Sequence, residues 1–413
     1  MTEEILMNEA MTYDAIVVGG GPCGATAAAD LAQAGRRVLL LDRAGRIKPC
    51  GGAIPPRLVR DFDIPESQIK ARIRAARMVS PKDRQVDMPI DGGFVAMVDR
   101  GDFDEFLRAR AAQCGAERRT GQFERVDHDP DGVAVVQYQT KAANGAPRTE
   151  RVRGRVVVGA DGAKSGVAKQ CVPQAARIPY VFAYHEIVQA PAADTPAPDA
   201  LGRDFAANRC DIFYQGKLSP DFYAWMFPHG DTVSIGSGSA QKGFSIRASV
   251  AATRAACGLA DAKTIRREGA PIPMKPAKRW DNGRDVVLAG DAAGVVAPAS
   301  GEGIYYAMEC GRMTARAVDR FCATGNAKAL REPRRAFMKD HGRVFMILGV
   351  MQWFWYSNDK RRESFVAMCR DRDVQRLTWE AYMNKKLARA KPAAHAKIFF
   401  KDLAHLFGVA KPS

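Results

Sequence analysis

The sequence predicts a mixed α/β (α+β) fold. It has a nucleotide-binding part assembled from separated stretches, an antiparallel sheet inserted as a cap, and a helical C-terminal region. Three observations predict it. Gly19-Gly20-Gly21-Pro22-Cys23-Gly24 sits between an apolar stretch of strand length, Tyr13–Val18, and an alanine-rich helical stretch, Ala25–Ala34. Gly290-Asp291-Ala292-Ala293-Gly294 follows a second apolar run, Val286–Ala289, almost the full chain away. Between them, Tyr180–Gly238 is aromatic-rich and reads as several short strands, which suits a sheet lying over a ligand.

The first signature occurs in the context a dinucleotide fingerprint requires: strand, turn, helix, strand and acid in order. Gly19 permits the tight turn, Gly21 lets backbone approach a pyrophosphate, and Gly24 lets the helix pack closely on the strand. The helix N-terminus, with its unpaired N–H groups and partial positive charge, then faces the phosphates. Val38–Leu41 is a second strand, and Asp42 at its end should bond a ribose hydroxyl. Together with the downstream Gly290-Asp291 turn, this implies a Rossmann-like domain holding one extended flavin nucleotide.

Arg46–Pro56 follows as a Gly/Pro-rich loop whose breakers exclude regular structure. Met78–Met97 contains strand pieces, and Phe103–Gln113 reads as a helix. Strands recur at Val133–Tyr138 and Arg151–Gly159, the latter running into the turn Gly159-Ala160-Asp161-Gly162-Ala163-Lys164-Ser165. Tyr305–Cys322 continues the downstream signature as helix, and residues from Arg331 onward are mainly helical. The expected division is a nucleotide domain over 11–60, 96–175 and 281–330, a substrate cap over 61–95 and 176–280, and a C-terminal region over 331–413. No second GxGxxG is present, so a nicotinamide cofactor should bind transiently, without a Rossmann domain of its own.

At 413 residues the chain is too long for one simple core, and 46% apolar with 26% charged residues is an ordinary globular composition. The formal net charge is +16. Residues 331–413 hold 18 Lys and Arg against 8 Asp and Glu, which implies an anionic partner surface there or a solvated basic face. No nucleic acid is expected as a partner. Nine cysteines without a C-x-x-C pair indicate neither a disulfide framework nor a zinc site; no metal is expected, and the compartment should be reducing. The N-terminus is acidic and lacks the apolar core of a signal peptide, and Met11 is an alternative start. The longest apolar stretch, Val344–Tyr356, falls short of the ≈ 20 residues that span a bilayer, so a soluble or peripheral protein is expected.

Residues 14–42, 159–165 and 290–303 resemble the segments with which flavoproteins of the para-hydroxybenzoate hydroxylase type wrap one FAD. Two further motifs resemble the geranylgeranyl reductase family: Pro49-Cys50-Gly51-Gly52, and Tyr223-Ala224-Trp225-Met226-Phe227-Pro228 followed by Gly236. The loop and its sequel through Pro65 are similar to the branch that acts on chlorophyll and bacteriochlorophyll. The likeness covers roughly residues 12–380. It implies an ADP end of the FAD site at Gly19, Gly21, Gly24 and Asp42, with Asp161 and Gly162 beside the pyrophosphate. It further implies Arg100 against the cofactor, Gly290 and Asp291 at the ribityl or ribose hydroxyls, and Pro298, Gly301 and Gly303 bringing backbone near the isoalloxazine.

The same resemblance implies that NADPH reduces FAD and that the flavin then reduces three double bonds of a geranylgeranyl chain. The substrate would be a geranylgeranylated tetrapyrrole or a prenyl diphosphate. An isolated alkene has no conjugated carbonyl to take up charge, so a proton must arrive with the hydride, in an apolar and water-excluded site. Cys50 is the leading candidate at the reacting alkene, against the alternative of a small buried spacer before a glycine pair. Gly51, Gly52, Tyr223, Trp225 and Phe227 are candidates for the tail channel, the aromatics alternating along a strand so that their rings share a face; a core stripe is the alternative. His185 and Glu186 rank below Cys50 as proton relays.

A prenyl tail already in a bilayer gains nothing by entering water, so docking on the cytoplasmic face of a photosynthetic membrane is expected, with other enzymes of pigment synthesis as further partners. Phe345–Leu348 and Trp353–Tyr356, followed by Lys360-Arg361-Arg362, and Ile398-Phe399-Phe400 between Lys397 and Lys401 could serve, the alternative being a helical core element. Rival readings are a reductase of another prenylated lipid of archaeal type, an aromatic hydroxylase on the same fold, and a flavin-free pigment carrier.

Overall fold

The computed structural model describes residues 12–43, 45, 47–191 and 205–385. Met11 and the basic-flanked Ile398-Phe399-Phe400 lie outside the described residues. The chain begins β1 (Thr12–Val18), α1 (Pro22–Gln33), β2 (Val38–Asp42), β3 (Ala53–Ile54), α2 (Pro56–Asp61), β4 (Ala71–Ile73), β5 (Ala75–Val79), β6 (Gln85–Pro89) and β7 (Val95–Met97). Next come α3 (Arg100–Gln113), β8 (Glu117–Thr120), β9 (Gln122–His128), β10 (Ala134–Lys141), β11 (Pro147–Gly159) and α4 (Gly166–Cys171). β12 (Tyr180–Gln189), β13 (Arg209–Phe213), β14 (Ala224–Pro228), β15 (Thr232–Ser239), α5 (Ile246–Ala256), β16 (Thr264–Pro273) and β17 (Val286–Leu288) follow. The helices α6 (Ile304–Thr324), α7 (Glu332–Trp355), α8 (Asp359–Met368) and α9 (Arg372–Asn384) complete it.

These elements form two compact units. The first draws on residues 12–48, 100–180 and 271–345. Its sheet runs β8-β2-β1-β11-β10-β9, with β17 also on β11. β11 does double duty because it is long: its start pairs antiparallel with β10, and its end lies parallel to β1 and β17. Ile16, Leu39, Leu40 and Val157 are fully buried, as strands covered on both faces must be. Helix α1 is alanine-rich, and it lets α6 approach until a Cβ on Gly311 would fall 2.4 Å from the Cys23 carbonyl oxygen.

The second unit draws on residues 49–99, 181–270 and 346–385. Its main sheet runs β16-β12-β15-β14-β13-β5-β6, and a small sheet runs β3-β7-β4. On one face of the main sheet Val188, Ala224, Met226, Val233 and Ile235 pack with Val250 of α5. The cross-strand partners of Gly236, Trp225 on β14 and His185 on β12, necessarily share the other face.

The division departs from the expected boundaries at several junctions. The first segment of the nucleotide unit ends at Lys48 rather than 60, because Gly52 accepts a backbone bond from Val98 and Ala53-Ile54 pair with β7. Residues 96–99 follow that pairing into the second unit, while 271–280 belong to the first. Of the expected C-terminal region, the described residues 331–385 are not a separate body. Phe337, His341 and Phe345 pack their rings on Tyr306 of the first unit. Trp379 and Tyr382 of α9 pack against the cluster of Ile73, Met97 and Cys210 in the second.

Candidate functional site

In the first unit the glycine turn after β1 is fixed by close backbone contacts. Gly19 has φ +108°, and a Cβ there would fall 2.3 Å from the Ala160 carbonyl oxygen, so only glycine lets the β1 and β11 turns touch. Gly24 brings α1 onto the same turn: a Cβ would meet the Gly19 oxygen. Gly21 is different, since nothing lies within 4 Å of where its Cβ would be. It is the N-cap of α1 and no side chain caps the helix, so the N–H groups of the first turn are open to an anion.

Asp42 at the end of β2 lies 3.2 Å from Arg108 Nη1, and the same guanidinium donates to the Gly20 carbonyl oxygen at 3.3 Å. Arg108 thus ties the ribose-type acid to the phosphate turn, a role that sequence spacing did not reveal. Asp42 and Arg108 line a cleft of ≈ 270 Å³ together with Leu40, Arg43, Arg118 and Thr120.

Asp161 and Gly162 follow β11. The Asp161 carboxylate accepts from Ser165 Oγ and from the Gly166 and Val167 N–H groups at 2.7 and 3.3 Å, so it supplements the N-cap of α4, Ser165. Burial raises its pKa against the pull of those bonds. Gly162, at φ +89° with open space beside it, is the residue of this pair that leaves backbone accessible. Arg100 opens α3 almost fully buried, and its guanidinium donates to both oxygens of Asp104 at 2.8 Å. The salt bridge fixes the arginine one turn earlier than the helix start read from sequence.

Downstream, Gly290 and Asp291 form a short 3₁₀ segment, and the Asp291 side chain is buried against Lys48 Nζ. Lys48 lies in the Gly/Pro-rich loop, where no periodicity or spacing marked it. Pro298, Gly301 and Gly303 lie in the turn that leads into α6, closed by the Gly301 N–H to Ala297 oxygen bond at 3.0 Å. Gly303 is the N-cap of α6, again with no side-chain cap.

An FAD fits this cradle. Two helix N-termini lack side-chain caps, backbone is bare at Gly21 and Gly162, and carboxylates stand at Asp42 and Asp291. Gly19, Gly21, Gly24 and Asp42 would hold its ADP end, and Asp291 with the Pro298–Gly303 turn its flavin end.

The second unit assembles the other predicted group. Cys50 is half-buried, and its Sγ accepts from the Gly52 N–H at 3.4 Å. A Cβ on Gly51 would touch the Phe227 ring at 3.0 Å, and one on Gly52 would fall 2.6 Å from His229 Nε2. The loop can therefore lie flat on β14 only because both positions lack side chains. Tyr223, Trp225 and Phe227 form a ring row with centroids 5.9 and 6.1 Å apart. Tyr223 precedes β14 rather than lying within it. Burial first, with Cys50 among the neighbouring groups, pushes the Tyr223 phenol well up.

His185 and Glu186, paired as candidates by sequence, point to opposite faces. Glu186 lies on the α5 side, where Arg254, Tyr184 and Arg267 bond it. Burial alone would raise its pKa, yet those bonds hold it below the usual value. His185 shares the face of Trp225. Sequence reading missed His229, half-buried with Nδ1 donating to the Phe227 oxygen at 3.0 Å and its pKa lowered to about 4, chiefly by desolvation.

The fold and cradle define a flavoprotein of the FAD-binding class, and residues 12–182 match the family described as FAD binding domain. The chain is 54% identical to geranylgeranyl diphosphate reductase of Rhodobacter capsulatus, covering 97% of this chain and 99% of that protein. It is 35% identical to geranylgeranyl diphosphate reductase of Synechocystis, covering 96% and 98%. The chain belongs to the geranylgeranyl reductase family. Its fold is shared with a geranylgeranyl bacteriochlorophyll reductase-like protein of Thermoplasma acidophilum, at TM-score 0.77 and 19% identity over 97% of this chain and 99% of that one.

Proposed function

We propose that the protein is an NADPH- and FAD-dependent reductase that converts the geranylgeranyl side chain of bacteriochlorophyll or chlorophyll, or free geranylgeranyl diphosphate, to phytyl. The observation that carries this reading is the Cys50–Gly52 loop lying on the Tyr223, Trp225 and Phe227 row, in a chain whose relatives are named geranylgeranyl diphosphate reductase. The row offers an apolar surface to an isoprenoid, and the loop puts a thiol beside it. When bound, FAD supplies the hydride. The chain's own residues hold the tail, keep water out and present a proton. Cys50 is the candidate donor, and Gly51 and Gly52 keep it close to the ring row.

An anionic membrane surface is the docking partner that the substrate requires. Among the described residues no helix is long and apolar enough to cross a membrane. Helix α7 nevertheless exposes Met346, Ile347, Val350 and Trp353, the last at 75%, with Arg343 and Lys360 exposed nearby. Apolar and aromatic side chains bordered by cations are the composition of an interfacial helix face. Each basic group near an anionic surface adds about 1 kcal/mol.

The test of function is to supply the purified yellow protein with NADPH and geranylgeranyl bacteriochlorophyll and separate the pigments by chromatography. Stepwise appearance of dihydro, tetrahydro and phytyl tails is expected. Bleaching of the flavin without any change in the tail, on either the pigment or geranylgeranyl diphosphate, would defeat the reading.

A further inference from the structure

Four ionisable side chains of the second unit form a row of alternating charge, of which only His185 stood among the candidates read from sequence. Asp99 lies two residues past the end of β7, and its Oδ2 lies 2.6 Å from Arg266 Nη2. Arg266 Nε lies 2.8 Å from Glu268 Oε1, and Glu268 Oε2 lies 2.9 Å from His185 Nε2. His185 Nδ1 is in turn 2.9 Å from Ser234 Oγ, which also accepts the Trp225 indole N–H at 3.1 Å. Exposure falls along the row, from 29% and 30% at Asp99 and Arg266 to 13% at Glu268 and 3% at His185.

The buried end of the row meets the ring face. Gly236 is the cross-strand partner of both His185 and Trp225, and a Cβ on it would fall 2.1 Å from the Trp225 ring and 2.7 Å from His185 Cβ. The other end follows Val98, whose N–H bonds Gly52 in the Cys50 loop. The row therefore borders the proposed tail surface on two sides.

Its chemistry suits a proton store. Arg266 cannot release a proton, so it and Asp99 only fix Glu268, and the movable proton belongs to Glu268, His185 and Ser234. With His185 as imidazolium the four groups sum to zero charge; with neutral imidazole they sum to minus one, and the buried end of the row is where that difference is felt. If imidazolium Nδ1–H donates to Ser234 Oγ, which also accepts from Trp225, the serine keeps a hydrogen that neither contact consumes. A row serving only to hold the sheet would be an expensive device, since apolar side chains of similar volume often stabilise as well as a buried ion pair.

We infer that His185, oriented and recharged by Glu268, is the positioning residue that, through Ser234, restores the proton spent on the alkene to the donor at the ring row, for which Cys50 is the candidate. This rests on the prenyl-reductase reading. In each reduction the π bond breaks and two C–H bonds form, one with the hydride that NADPH supplies through the flavin and one with a proton. NADPH becomes NADP⁺, and the proton lost from the row returns from water at Glu268.

The experiment uses the FAD-loaded full chain with NADPH and geranylgeranyl diphosphate, comparing wild type with His185→Gln, Glu268→Gln and Ser234→Ala. Anaerobic bleaching of FAD by NADPH should be unchanged in all of them. Prenyl turnover should fall at least ten-fold in kcat with KM little altered, and its solvent deuterium isotope effect should grow. The groups facing His185 are Glu268 and Arg266 on β16, Ser234 on β15, Trp225 on β14, His229 beyond it and Asp99 after β7. The pH profile of turnover should therefore differ between wild type and His185→Gln. Wild-type turnover with an unchanged pH profile and isotope effect in both His185→Gln and Glu268→Gln would overturn the inference. Should His185→Gln fail to retain FAD, the isosteric Glu268→Gln decides by the same readouts. Wild type that bleaches but reduces no geranylgeranyl substrate would defeat the substrate reading instead, which keeps the two failures distinct.

Discussion

At the scale of single residues, the second unit makes the sharpest predictions. Replacing Cys50 with Ala removes one sulfur from a half-buried loop whose fold rests on Gly51 and Gly52, so FAD content should be unaffected. General-acid groups contribute typically about 10²-fold or more to rate, and prenyl reduction should fall by about that factor while NADPH still bleaches the flavin. Stopped-flow bleaching and product chromatography on the same preparation check both halves. His229 yields a stability prediction. Its folded-state pKa of about 4 lies below the ordinary 6.5, so the unfolded chain binds a proton first as pH falls. Stability from the neutral ring is complete above about pH 6.5 and declines toward pH 4, by up to about 3 kcal/mol. Denaturation midpoints of wild type should therefore fall more steeply across that window than those of His229→Gln. Gly236→Ala, with its Cβ 2.1 Å from the Trp225 ring, should destabilise by about 1–3 kcal/mol through overpacking, measured by urea unfolding.

At the scale of elements, what could be read from the sequence depended on local pattern. The strand, turn and helix of Thr12–Gln33 declared themselves because a continuous apolar run, a glycine turn and an alanine-rich helix are each local signals. The loop 46–56 showed its breakers but not its pairings. Nothing in its composition says that Lys48 meets Asp291, 243 positions away, or that Gly52 pairs with Val98. Arg266 and Glu268 escaped for a related reason. They lie in a long polar strand, β16, whose alternation reads as an ordinary half-exposed edge until the sheet order sets it beside β12. Helix α7 was legible as helix, and its hydrophobic tail was legible too; which face remains bare required the fold. Val350→Glu with Trp353→Glu should leave NADPH bleaching intact and reduce cosedimentation with anionic vesicles several-fold, because each change replaces an exposed apolar contact with a repelled charge.

For the whole molecule, the expected C-terminal region dissolves into both units, since residues 331–345 and 346–385 cluster with different partners. Periodicity announces helices and says nothing of which sheet they pack on. The surplus of basic residues was visible from composition alone, and it sets a bulk test. Binding to vesicles rich in anionic lipid should weaken as salt is raised from 0.05 to 0.5 M, because the screening length shrinks from above 10 Å to a few Å over roughly that range. Binding that ignores salt would assign the attachment to apolar contact alone.

The Cys50–Gly52 loop is seated on β14 with no room for a side chain at Gly51 or Gly52. One added residue would carry both glycines off the Phe227 ring and His229 that they face. Spacing, more than identity, is thus what this loop must hold. A scan of single-residue insertions should find the Asn144-Gly145 hairpin tip permissive and the Cys50–Gly52 step intolerant, although both are surface-type loops by composition.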